Sequence, residues 1–63
     1  MKINKDEILI RMAEHCMSRQ ELAEKAGITY KTFSEIMRRG HAAPQTCGVI
    51  AKALECSVRD IIA

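Results

Sequence analysis

Aromatic residues are almost missing from this sequence: one Tyr, one Phe and no Trp make up 3% of its 63 residues. Apolar residues nonetheless reach 48%, so the core is expected to consist of small interlocking Ala, Ile, Leu, Val and Met side chains. That composition suits packed helices better than a β-sandwich, which needs β-branched runs with a period of two. No apolar run approaches the roughly 18 residues that a membrane span requires. The opening stretch MKINKDEILI carries acids before its apolar residues and has no long hydrophobic region, so no signal peptide is expected.

Cysteine is sparse and odd in number. Cys16, Cys47 and Cys56 match no zinc spacing, and His15 and His41 do not complete one. The three thiols read as small hydrophobes in a reducing cytoplasm. No glycine loop is present to cradle a phosphate, and His15 and Cys16, neighbours on a helix, point apart rather than forming a nucleophile and its base. Neither a cofactor nor a metal is expected, nor an enzymatic activity. The net charge is only +2, which permits a nucleic-acid partner without requiring one. Sixty-three residues suffice for a single domain, and one that buries only about 60% of its unfolded surface.

What is present centres on Ser18 to Arg39, SRQELAEKAGITYKTFSEIMRR. Ser18 followed by Glu21 has the spacing of a capping box. Leu22, Ala23 and Ala26 then form a narrow apolar stripe, whose alanines let another helix approach closely. Gly27 stands where the chain must leave the helix with a positive φ. Thr29 can cap a second helix with Phe33, Ile36 and Met37 turned inward. Two helices about a short glycine-containing turn make a helix-turn-helix. The spacing predicts helices over 18–26 and 29–39.

The flanking segments read as helices too. Asn4 and Glu7 predict a start for a helix over 4–16, with Ile8, Leu9, Met12, Ala13 and Cys16 inward and Ile10 at the bundle edge. Met17 is placed for a hydrophobic staple against Leu22. Gly40 ends the third helix, and Pro44 precedes a fourth over 45–54 with Val49, Ile50, Ala53 and Leu54 inward. Ser57 and Asp60 box a last helix over 57–62. From Gly27 to Pro44 the charges are Lys31, Arg38 and Arg39 against Glu35 alone, with His41 nearby, whereas acids gather in the first two helices.

The run SRQELAEKAGITYKTFSEI resembles the helix-turn-helix of the Cro and phage-repressor family of DNA-binding proteins, the XRE-like regulators. PQTCGVIAKALECSVRDII is similar to that family's two closing helices. The resemblance implies an all-α five-helix bundle, a lambda-repressor-like domain spanning 1–63. It also implies a sequence-specific regulator of transcription, most simply a repressor, that lays helix 29–39 in the major groove of double-stranded DNA. The base-reading positions carried over are Tyr30, Lys31, Ser34 and Glu35. Lys31 suits guanine O6 or N7, and Glu35 could accept from cytosine N4 or be repelled from the groove. Arg19 stands where relatives often have Gln, with Gln20 beside it, and suits a phosphate. The helix starts at Ser18 and Thr29 offer backbone amides to phosphates, and Arg38, Arg39 and His41 add side chains. Proteins of this kind bind inverted repeats as homodimers, and Val58, Ile61 and Ile62 form the expected self-association patch, unless they close the monomer core instead. The same scaffold also serves as an antitoxin-like or adaptor module that binds protein.

Overall fold

In the computed structural model, which describes all of residues 1–63, five helices follow one another. They are α1 (Lys5–Glu14), α2 (Arg19–Ala26), α3 (Tyr30–Arg39), α4 (Pro44–Ala53) and α5 (Val58–Ile61). The expected all-helical bundle is therefore present, with α4 packed against both α2 and α5. Its core joins Ile8 and Met12 of α1, Leu22 and Ala23 of α2, and Phe33, Ile36 and Met37 of α3. The fourth helix adds Cys47, Ile50, Ala51 and Ala53, followed by Leu54 and then Ile61 from α5. Cys47 is fully buried, its thiol 3.8 Å from the Ala42 carbonyl. The fourth helix thus points Cys47 and Ala51 inward, while Val49 is only half-buried.

The helix starts follow the capping chemistry closely. Ser18 Oγ accepts from the Glu21 N–H at 3.1 Å, and the Glu21 carboxylate accepts from the Ser18 N–H at 2.9 Å. At α5, Ser57 Oγ accepts from the Arg59 N–H at 3.2 Å while Asp60 accepts from the Ser57 N–H at 3.0 Å. The first box is only half formed. Asn4 accepts from the Glu7 N–H at 3.1 Å, but the Glu7 carboxylate turns away to Arg11, also at 3.1 Å. An arginine one turn ahead competes for the acid and wins it.

Three helix ends share one hydrogen-bonding pattern, in which two successive N–H groups turn back to the last turn's carbonyls. After α1, Cys16 N–H reaches Ala13 O and Met17 N–H reaches Met12 O; after α2, Gly27 reaches Glu24 and Ile28 reaches Ala23; after α4, Glu55 reaches Lys52 and Cys56 reaches Ala51. The motif needs a left-handed residue, and Cys16 (φ +54°), Gly27 (φ +78°) and Glu55 (φ +56°) supply it. Only one of these is a glycine. The expected reach of α1 to Cys16 is accordingly corrected: the helix stops at Glu14, and Cys16 is exposed. The inward stripe of α1 narrows with it, since Leu9 is 40% exposed and Ala13 is exposed as well, while Ile10, expected at the edge, is 52% exposed.

The chain before α1 is ordered against the rest. Ile3 is buried and faces Ile62, while Lys2 faces His41, each as an isolated antiparallel bridge. No sequence periodicity marks so short a segment. No helix is long and apolar enough to cross a membrane.

Candidate nucleic-acid interface

The geometry of the site begins at Gly27. Its left-handed backbone turns the chain sharply between α2 and α3, and nothing lies within 4 Å of where a Cβ would stand. The glycine is thus needed for its conformation and not for space. Ile28 then tucks partly into the core, and Thr29 starts α3 by accepting from the Thr32 N–H at 3.1 Å. The Thr29 hydroxyl also donates to Thr32 Oγ1 at 2.8 Å. With Phe33, Ile36 and Met37 buried, the rotation of α3 about its own axis is fixed, because those three side chains occupy one face of a 3.6-residue period.

That rotation decides what α3 presents outward. Tyr30 is 52% exposed, and Lys31, Thr32, Arg38 and Arg39 are exposed too. Ser34 and Glu35 are half-buried at the margins. Glu35 does not stand free: its carboxylate lies 3.5 Å from Arg39 one turn on. Both members of this pair are open to solvent, so it contributes at most about 1 kcal/mol. Its effect on the surface is to draw the one acid of α3 away from Lys31 and to occupy Arg39.

The start of α2 meets the start of α3. Ser18, Arg19, Gln20 and Tyr30 line one shallow open cleft of about 610 Å³. Because the Ser18 box occupies the N–H groups of Ser18 and Glu21, the amides without a protein acceptor at this end are those of Arg19 and Gln20. At α3 the cap leaves Tyr30 and Lys31 in the same condition. Helix-start amides carry a partial positive charge and suit an anion. Gln20, which sequence reasoning set beside the site, is brought into it by this cleft. Glu21 is the opposing charge here, and its hydrogen bonds to the Ser18 backbone and side chain hold its carboxyl below the usual carboxylate range. It stays ionised and committed to the cap.

At the other end of α3, Arg38 and Arg39 precede Gly40 (φ +76°), and His41 follows exposed to solvent. Val58 and Ile62 are half-buried, but Ile61 is fully buried within the monomer. Ile61 closes the core and leaves no surface for a second copy. No three His, Cys, Asp or Glu side chains gather closely enough to hold a metal ion.

Two helices crossing at a left-handed glycine, the second turning a polar and basic face to solvent, define a DNA-binding domain of the helix-turn-helix class. The Cro/C1-type HTH DNA-binding domain family matches residues 7–63, and the chain belongs to that family. Comparison with curated proteins and with solved structures gives no match for it.

Proposed function

We propose that this protein is a sequence-specific regulator of transcription, a repressor acting by occupancy, that binds double-stranded DNA with α3 in the major groove. The observation that carries this reading is the fixed rotation of α3. Phe33, Ile36 and Met37 are buried, so Tyr30 and Lys31 stand outward at the helix start with Ser34 one turn later. A helix of this kind fits the major groove, where Lys31 meets guanine O6 or N7 and Tyr30 a thymine methyl or a phosphate. Glu35, tied to Arg39, reads cytosine N4 only if that pair opens. Arg19, Arg38, Arg39 and His41, with the free amides of the helix starts capped by Ser18 and Thr29, hold the phosphates and set the register.

The operator is an inverted repeat bound by a homodimer. Its half-sites are expected about one helical turn, roughly 34–36 Å, apart. The exposed parts of Val58 and Ile62 supply the contact. Selection from random-sequence duplexes with the purified protein tests the reading. An inverted repeat with half-sites about one turn apart is the expected product, and recovery of no preferred sequence contradicts it. A second reading, an adaptor or antitoxin-like role, draws on the exposed Leu9 and Ile10 of α1. It predicts a protein ligand and no steep salt dependence of DNA binding.

A further inference from the structure

The residues before α1 are tied down along both edges. Ile3 N–H donates to Gly40 O at 2.9 Å and Ala42 N–H to Met1 O at 3.0 Å, bracketing the Lys2–His41 bridge. Asn4 N–H donates to Ile61 O at 2.8 Å and Ala63 N–H to Lys2 O at 2.9 Å, bracketing the Ile3–Ile62 bridge. In both, the hydrogen bonds belong to the neighbours, so the bridged residues form the close kind of antiparallel pair, with side chains next to one another. Successive side chains alternate between faces. Ile3 enters the core, and Lys2 therefore stands on the opposite face, exposed beside the exposed His41.

Lys5 brings another cation to the same place. Its Nζ lies 3.5 Å from Arg38 O, and its Cε is 3.2 Å from where a Cβ on Gly40 would stand. The carboxyl end of α3 is thus surrounded by Lys2, Lys5, Arg38, Arg39 and His41. Arg39 is engaged by Glu35, but no ion pair involves Lys2, Lys5, Arg38 or His41. Setting Lys2 beside His41 in a close pair brings two basic side chains together with no acid between them.

We propose that Lys2, held beside His41 by the isolated bridge between them, contacts a DNA phosphate and gives the protein a second backbone-gripping edge. This inference rests on the duplex-binding reading. Ten residues of α3 rise about 15 Å, more than the roughly 12 Å width of the major groove. The Ser18–Arg19 cleft adjoins the start of α3 and the Lys2–His41 pair its end, so one is assigned to each phosphate strand.

Duplex binding measured by fluorescence anisotropy across a salt series tests this in wild type and in Lys2→Gln, Lys2→Arg, Arg19→Gln and Lys52→Gln, with a thermal melt of each to confirm folding. Each phosphate contact contributes about 0.9 to the slope of log K against log salt. Lys2→Gln is expected to lower the steepness of this negative slope by about 0.9, as Arg19→Gln does, while Lys2→Arg and the α4 control Lys52→Gln leave it in place. An unchanged slope in Lys2→Gln beside a lowered one in Arg19→Gln overturns the second edge and leaves the duplex reading intact. Equal losses in Lys2→Gln and Lys52→Gln also overturn it, because net charge alone then explains the effect. Salt-insensitive binding by wild type overturns both this inference and the duplex reading.

Discussion

At the residue scale, the same left-handed turn is made by three different residues, Cys16, Gly27 and Glu55. A left-handed residue with a Cβ costs about 1–2 kcal/mol that glycine avoids, partly offset by glycine's greater freedom when unfolded. Cys16→Gly is therefore expected to stabilise the domain by up to about 1 kcal/mol, raising the melting temperature by roughly 4–8 °C. Gly27→Ala is expected to lower it by a similar amount, although no atom obstructs the new methyl. Thermal melts of the two variants check both signs. Glycine at Gly27 was legible in the sequence because glycine announces the turn. The same turn at Cys16 and Glu55 was not, because tertiary packing imposes it against local preference.

Glu21 makes a second residue-scale prediction. Its pKa is depressed in the folded state by the Ser18 hydrogen bonds, so ionised Glu21 favours folding. That contribution is fully present above the unfolded value of about 4.3 and is lost as pH falls through the lower folded value. The stability advantage of wild type over Glu21→Gln should be constant above about pH 5 and shrink on acidification below it. A difference independent of pH between 6 and 3 would contradict the assignment.

At the scale of elements, the helix-turn-helix was readable and the bridged N-terminal segment was not. Ser18, Gly27 and Thr29 act on neighbours within four residues, and Phe33, Ile36 and Met37 repeat at helical spacing, so local sequence specifies α2, the turn and the face of α3. Ile3 pairs instead with Ile62 at the far end of the chain, and such contacts leave no periodic signature. The same distance hid the fate of Ile61, whose apolar character suits an interface and a core equally well. Ile3 is 4% exposed, and Ile3→Ala is expected to cost about 2–5 kcal/mol. That is a large share of the roughly 3–9 kcal/mol that a domain of this size has in total. Urea denaturation checks it: the midpoint should fall well below wild type with the slope nearly unchanged.

At the scale of the whole molecule, a small net charge is compatible with a strong local field, because the distribution is uneven. The basic groups at both ends of α3 flank an outward face whose one acid is paired to Arg39. The proposed base-reading and phosphate positions rest on the family resemblance, whereas the cleft joining Gln20 to Tyr30 and the Lys2–His41 pair emerge only from the folded chain. The central claim is that α3 lies in the major groove, and guanine N7 is exposed only there. Methylation interference on a selected duplex therefore tests it most directly. N7-methylation of guanines within each half-site should abolish binding, while N3-methylation of adenines in the minor groove there should leave it nearly unchanged. The reverse pattern, or indifference to N7 throughout, would contradict the account.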